Sequence, residues 1–401
     1  MAPIPRLRAY DGPAFLSYGF RPFFLLAALQ AGLTILVWLP FVAGRLAVPT
    51  AFAPVDWHVH EMLFGYQSAA VGGFLLTAIP NWTGRLPVQG RPLLVLVLAW
   101  LAGRFAVSAS GLIGWSMAMA IDALFLTLLA GAAAREIVAG RNWRNLKVVV
   151  LIGLLLAANL AFHLEAGLTG SADFARRFAI AVVLMLVMLI AGRIVPSFTR
   201  NWLAQRGAGR MPVPFGTYDK AVLAGSALAL ACWIAAPDTI AIGVVLMLAA
   251  GLHLVRLARW AGDRTLRNPL LVILHVSYLF VPVGFALTAA AGFGLVAAAA
   301  GLHAWTAGAF GTMTLAVMSR ASLGHTGRAL AATPATQLCY GLVVIGAVAR
   351  VCSALGHGPA MLLHVAGLSW SLAFLVFAVA YWRVLSGARV AAKAASPAQR
   401  A

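Results

Sequence analysis

Charged residues are scarce in this chain, and their scarcity excludes a water-soluble globular protein. Only 10% of the 401 residues are charged, 62% are hydrophobic, and the mean hydropathy is +0.93. A soluble domain has about a quarter charged residues. No polar stretch is long enough to fold as a separate soluble domain. We therefore predict a single transmembrane domain over residues 1–385.

Cysteine is also scarce, and acidic residues are far fewer than basic ones. The three cysteines include no C-x-x-C pair, which excludes a disulfide framework and a zinc-finger signature. The net charge of +19 comes from basic residues that separate the apolar runs and form neither a block nor a basic helix face. Motifs that bind RNA are absent too. We predict membrane lipid, and no nucleic acid, as a partner.

Long apolar runs account for most of the chain. A membrane-spanning helix needs about 20 apolar residues, so the sequence predicts an all-α polytopic protein with about twelve transmembrane helices: 22–43, 60–80, 92–110, 112–134, 147–167, 176–196, 219–236, 238–258, 269–290, 293–318, 338–356 and 359–385. The first run is longer than the apolar core of a signal peptide and is predicted to be retained. Residues 386–401 are predicted to form a disordered cytoplasmic tail.

Basic residues are distributed unevenly between the two sides that these spans define. The positive-inside rule makes the richer side cytoplasmic. With the N-terminus on that side, the other side keeps only Arg45, Arg104, Arg176, Arg177 and Arg350. The distribution predicts an even number of spans with both termini in the cytoplasm.

Histidines are concentrated in these spans. Seven of the nine lie inside a span or at its edge: His58, His60, His163, His253, His275, His303 and His364. Polar side chains in hydrocarbon are costly and commonly mark functional sites, and neutral imidazole is the commonest metal ligand. This pattern predicts a metal or haem protein.

A first group of predicted metal ligands, His58, His60 and His163, lies near the outer ends of spans two and five. On a regular helix His58 and His60 point about 200° apart and meet different partners. In an extended segment they would share one side and chelate one ion. Asn159, one turn before His163, is predicted to orient its ring. Glu61 either supports these ligands or belongs to a polar helix N-terminus.

Two deeper histidines, His303 and His275, are predicted metal ligands that bind haem. His303 lies about 15 Å from the outer edge at 1.5 Å per residue, beside small residues that leave room for a macrocycle or, alternatively, for close helix packing. His275 lies nearer the cytoplasmic edge, with Tyr278 one turn on as a supporting residue, and the pairing of the two histidines stays open. Asp122, near the middle of a span, pairs with a ligand histidine or with a neighbouring helix.

Arginines occur beside aromatic residues at the predicted cytoplasmic helix ends, and they have two interpretations. They are topological anchors of the kind that the positive-inside rule describes, or they bind haem propionates, because arginine binds carboxylates bidentately. The residues concerned are Arg21, Arg85, Arg200 and Arg320.

Seven strings in this chain resemble the NnrS family and occur in the family's order between Gly19 and Arg328. They are GFRPFF, WHVHEMLFGY, AIPNWTGR, ANLAFH, GRIVPSFTRN, LHVSY and LHAWTAGAFGTMTLAVMSRASLGHTGR. His58, His60, His163, His275, His303 and His325 fall in these strings. His253, His357 and His364 fall outside them.

The resemblance implies a bacterial inner-membrane protein of denitrification and the nitric-oxide response. It implies b-type haem and copper as cofactors, nitric oxide or nitrosylated iron species as partners, and protection against nitrosative stress. It names no electron donor and leaves open whether the protein catalyses a reaction, senses the gas or acts by binding it.

The sequence leaves two alternatives to this function. A haem–copper redox enzyme acting on nitric oxide is the first alternative, although the chain has no adjacent His-His pair of the kind found in haem–copper oxidases. A twelve-span secondary transporter is the second. Its loop between spans two and three would carry a G-x-x-x-D-R signature, and here that loop reads NWTGRLPVQGRP, with no carboxylate.

Overall fold

The computed structural model describes residues 10–356 and 361–390, and this part of the chain is all helical, with no strand. The long helices are, in chain order, α1 Phe20–Val42, α2 Pro54–Thr83, α3 Arg91–Ser108, α4 Trp115–Ala139, α5 Leu146–Thr169, α6 Asp173–Leu203, α7 Thr217–Ala235, α8 Ile240–Ala258, α9 Pro269–Gly292, α10 298–325, α11 Pro334–Ala354 and α12 Met361–Ser386. The predicted all-α polytopic architecture is confirmed.

Eleven of these helices are long and apolar enough to cross a membrane. The exception is α10, which combines Ala298–His303, a π-helical segment Ala304–Gly311 and Thr312–His325 without a break. Glycine, threonine and histidine lower its hydropathy. With α10 counted, the described residues contain the twelve helices that the apolar runs predict.

Short helical turns complete the described chain: Ala14–Leu16, Ser110–Ile113, Trp143–Asn145 and Gly262–Thr265. Two of the long helices extend well beyond their predicted bounds. Helix α2 begins at Pro54, where proline is favourable because the first turn needs no donor, and α6 continues to Leu203 through an internal Pro196. Of the predicted tail, residues 391–401 lie outside the described residues.

Helices α2 and α6 form the centre of the bundle. Their most apolar stretches are 83% and 72% buried, whereas that of α8 is 33% buried. Helix α1 packs against both α2 and α12, and α10 packs against α9 and α11. A helix that is buried on most sides can carry polar residues only where neighbouring helices satisfy them, and α2 carries several.

The two ends of the described chain meet on one side of the bundle. The buried guanidinium of Arg21, at the start of α1, donates to the carbonyl oxygens of Leu385 and Gly387 at 2.8 and 2.6 Å. An even number of crossings requires this arrangement. We call this side the inner end, which the positive-inside rule predicts to be cytoplasmic, and the opposite side the outer end.

Two helices change to π-helical geometry immediately after a histidine. In α2 the π segment Glu61–Gln67 follows His60, and in α10 the segment Ala304–Gly311 follows His303. A π segment rotates the following side chains and is frequent at functional sites. Both segments line the same region between α2 and α10.

Candidate metal centres

His58 and His60 lie on opposite sides of α2, as the helical interpretation of the sequence predicts. The His58 ring stacks on Trp38 of α1, with 4.3 Å between ring centroids. The His60 ring is fully buried among residues of α4 and α5. The two imidazoles therefore belong to two different sites, which share one turn of α2.

Asp122 of α4 is the centre of the first site. Its Oδ2 lies 3.2 Å from His60 Nε2 and 3.1 Å from His163 Nε2. Asn159 donates its Nδ2 to the same oxygen at 2.7 Å, and this Nδ2 also lies 3.4 Å from His60 Nε2. Asn159 thus contacts Asp122, the carboxylate beside His163, and supports the His163 ring through that carboxylate.

Arg104 of α3 joins this site to Glu61. It donates Nη1 to Glu61 Oε1 at 2.7 Å and pairs through Nη2 with Asp122 Oδ1. Gln30 of α1 donates to the second Glu61 oxygen at 2.5 Å. All of these acidic groups are buried. Since two carboxylates share one guanidinium, the cluster has one negative charge that a cation or an imidazolium must balance.

The three groups His60, Asp122 and His163 are placed to hold a single cation. Their ligand atoms all lie within 4.8 Å of one another. The other His163 nitrogen, Nδ1, is buried without a hydrogen-bond partner. The Phe52 ring packs against both imidazoles, and the Phe162 ring packs against those of His60 and Phe52. Two imidazoles and a carboxylate in an apolar shell suit zinc, copper, iron or nickel.

The second site is a cavity of about 410 Å³ between α1, α2, α10, α11 and α12 at the outer end. This volume is in the range of about 300–1,000 Å³ that is usual for pockets that bind small molecules. His58 and His303 both line it, together with Trp38, Trp370 and Arg350. The structure thus brings His303 to the same cavity as His58.

Both histidines of this cavity have ring nitrogens available for a ligand. His303 donates Nδ1 to the Ala299 carbonyl at 2.7 Å, which leaves its Nε2 with a free lone pair. Among the described residues no hydrogen-bond partner reaches the His58 ring, and its Nδ1 is buried. Arg350 lines the cavity, whose described lining contains no Asp or Glu.

His275 lies elsewhere, near the inner end of α9. Its Nε2 is 3.0 Å from Thr199 Oγ1, its Nδ1 is buried without a partner, and its ring packs against Trp260. It does not line the cavity that contains His303. The two histidines therefore lie in different parts of the bundle, and their positions do not favour the pairing that the sequence leaves open.

Tyr278 contacts a different histidine from the one predicted. Its hydroxyl lies 2.8 Å from His253 Nδ1 and accepts from Arg256 Nη1 at 2.6 Å. His253 Nε2 lies 2.9 Å from Ser226 Oγ. Both nitrogens of His253 are thus satisfied by protein groups, which fits its position outside the family-like strings.

Three of the four predicted propionate arginines are bound to protein groups. Arg21 contacts the end of α12, as described above. Arg85 donates Nε to Glu136 Oε2 at 2.6 Å, and Arg200 donates to the Pro212 carbonyl at 2.6 Å. Only Arg320 lines a large cavity, at the inner end of the bundle.

Several residues of these sites were not identified from the sequence: Gln30, Trp38, Arg104 and Arg350. The sequence did contain one signal. Arg104 and Arg350 are among the few basic residues on the side that the positive-inside rule leaves poor in them. A cation retained there against the topological bias is a candidate partner for a buried anion or an anionic ligand.

Fold and sites together define a polytopic, all-α membrane protein with two groups of histidines beside one central helix. The chain belongs to the NnrS protein family, whose model matches residues 14–389. Membership assigns it to the membrane proteins of the nitric-oxide response. No curated protein matches the chain.

Proposed function

We propose that this protein binds haem and copper in the bacterial inner membrane and protects the cell against nitrosative stress. The observation that carries the proposal is the separation of His58 and His60 into two sites of different kinds. One is a cavity of about 410 Å³ lined by two imidazoles whose ring nitrogens are not all bound to protein groups. The other is a compact donor set with excess negative charge.

The cavity suits haem, and His58 and His303 would hold it. Its lining is mainly apolar and aromatic, which fits a porphyrin, and the Trp38 ring fixes the His58 ring by stacking. Arg350 carries the positive charge that a propionate requires. When bound, haem iron supplies a coordination site for small gases such as nitric oxide.

The compact site suits copper, and His60, His163 and Asp122 would hold it. Copper binds well to imidazole nitrogen and carboxylate oxygen. A bound cation would also balance the negative charge that remains when Glu61 and Asp122 share the Arg104 guanidinium. Arg104 and Asn159 fix the Asp122 carboxylate from two directions. These contacts keep one Asp122 oxygen directed at both imidazoles.

Nitric oxide, or a nitrosylated iron species, is the proposed partner. Nitric oxide is small and uncharged, so it reaches the cavity from the lipid as well as from water. A haem–copper redox enzyme would use the same two sites, and only turnover separates it from a binding protein. A transporter is disfavoured because buried donor sets of this kind have no transport role that we can assign.

Optical spectroscopy of the purified full-length protein, combined with metal analysis, tests the proposal. We expect a Soret band, reduced α and β bands that shift on addition of nitric oxide, and bound copper. His303→Ala should abolish the Soret band. His364→Ala is the matched control, since His364 is exposed on α12 and lines neither site. Protein that lacks both haem and copper after expression with ample supply would refute the proposal.

A further inference from the structure

A second large cavity, of about 550 Å³, lies at the inner end between α1, α2, α6 and α10. Its polar lining includes the guanidinium groups of Arg193 and Arg320 and the carboxamides of Asn81 and Asn201, with no Asp or Glu. The haem and copper proposal does not use this cavity. The charged groups that line the cavity are therefore all positive.

Neither arginine is neutralised by a carboxylate of the described residues. Arg320 lies over the Phe198 ring at 4.2 Å, and no carboxylate of the described residues lines the cavity beside it. Arg193 donates Nη1 to Asn145 Oδ1 at 3.2 Å, and its Nε is buried without a partner. A partly buried cation without a counter-charge is unfavourable, so this cavity is suited to an anion.

The rest of the cavity is apolar and continues into a groove towards the membrane centre. Phe24, Phe74, Ile190, Ile194 and Val317 line both the cavity and the groove. The groove has two polar lining residues, Gln67 and Thr314, and is otherwise lined by apolar side chains that include Val71, Val183, Leu186, Val187, Met313 and Met318. The groove has a volume of about 60 Å³, so the two spaces accommodate a ligand with an anionic head and the first few carbons of an apolar tail.

We propose that this cavity binds the phosphate headgroup of an anionic phospholipid, with the first few carbons of an acyl chain in the groove. Basic pockets between transmembrane helices on the cytoplasmic side bind anionic headgroups, and the positive-inside rule predicts this side to be cytoplasmic. Arg193 and Arg320 bind the phosphate oxygens, and Asn81 and Asn201 donate further hydrogen bonds. The site is independent of the haem and copper centres.

Native mass spectrometry of the delipidated full-length protein, titrated with phosphatidylglycerol or phosphatidylcholine, tests the proposal. We expect phosphatidylglycerol to bind and phosphatidylcholine to bind at least tenfold more weakly. The variant Arg193→Gln/Arg320→Gln should weaken phosphatidylglycerol about 30-fold, since each basic side chain contributes about fivefold. Arg193→Lys/Arg320→Lys keeps the charge and should retain most of the binding, which separates loss of the site from misfolding.

Arg206→Gln is the matched control. Arg206 also lies over an aromatic ring, that of Trp202 at 3.9 Å, but it is exposed and lines no part of the cavity. Equal loss in this control and in the double glutamine variant would overturn the proposal. So would full competition by millimolar inorganic phosphate, which would indicate a soluble anion. Loss of haem from the glutamine variant with unchanged lipid binding would assign the cavity to propionates and would also overturn it.

Discussion

Arg104→Met removes the guanidinium that Glu61 and Asp122 share. Both carboxylates lie in the membrane interior with about 1% of the side chain exposed, and Arg104 keeps 10%. Removing one partner of a buried ion pair costs about 3–5 kcal/mol, because the remaining charge stays buried and unpaired. Methionine fills a similar volume, so little of the loss comes from packing. We expect the free energy of unfolding to fall by about 3–5 kcal/mol.

Arg135→Met is the control for this prediction. Arg135 pairs with Glu136 at 2.8 Å on the adjacent helix α4, but its side chain is 67% exposed. An exposed pair contributes about 0–1 kcal/mol. Equilibrium unfolding in mixed detergent and SDS micelles, followed by tryptophan fluorescence and circular dichroism, measures both variants against the parent protein. The reasoning is refuted if Arg104→Met unfolds within about 1 kcal/mol of Arg135→Met.

Two further predictions concern helix packing and the inner arginines. Gly192→Ala places a Cβ 2.0 Å from Nη2 of the buried Arg256, so we expect the free energy of unfolding to fall by about 1–3 kcal/mol in the same assay. Gly251→Ala has open space around it and should be neutral or raise the free energy of unfolding by up to about 1 kcal/mol. Equal effects of the two substitutions would contradict this packing. Arg85→Gln should leave the Soret absorbance per protein unchanged, because Glu136 already binds this guanidinium, and a loss of haem would restore the propionate interpretation.

The bounds of several helices follow closely from the sequence because hydropathy and proline positions are local signals. The predicted spans 269–290 and 238–258 correspond to Pro269–Gly292 and Ile240–Ala258. Of the two interpretations of His58 and His60 that the sequence leaves open, the structure shows the helical one, in which they meet different partners. Each of these features depends on the sequence of one helix alone and not on contacts with a neighbouring helix.

The contents of the two sites were harder to predict because they depend on contacts between helices. The sequence marks Arg104 only as one of the few basic residues on the outer side. Its partners Glu61 and Asp122 lie on two other helices, so spacing along the chain does not identify them. The π segment after His303 packs against α9 and α11, and nothing in its local composition predicts it. The cavity shared by His58 and His303 follows from helix positions that no spacing along the chain encodes.

In the proposed function, His58 and His60, which share one turn of α2, serve two different cofactors, and His163 belongs to the site of His60. The most direct test measures haem and copper content side by side in His58→Ala and His163→Ala, each purified as folded protein. We predict that His58→Ala loses haem and keeps copper, and that His163→Ala loses copper and keeps haem. Loss of both cofactors from each variant, or retention of both, would contradict the account.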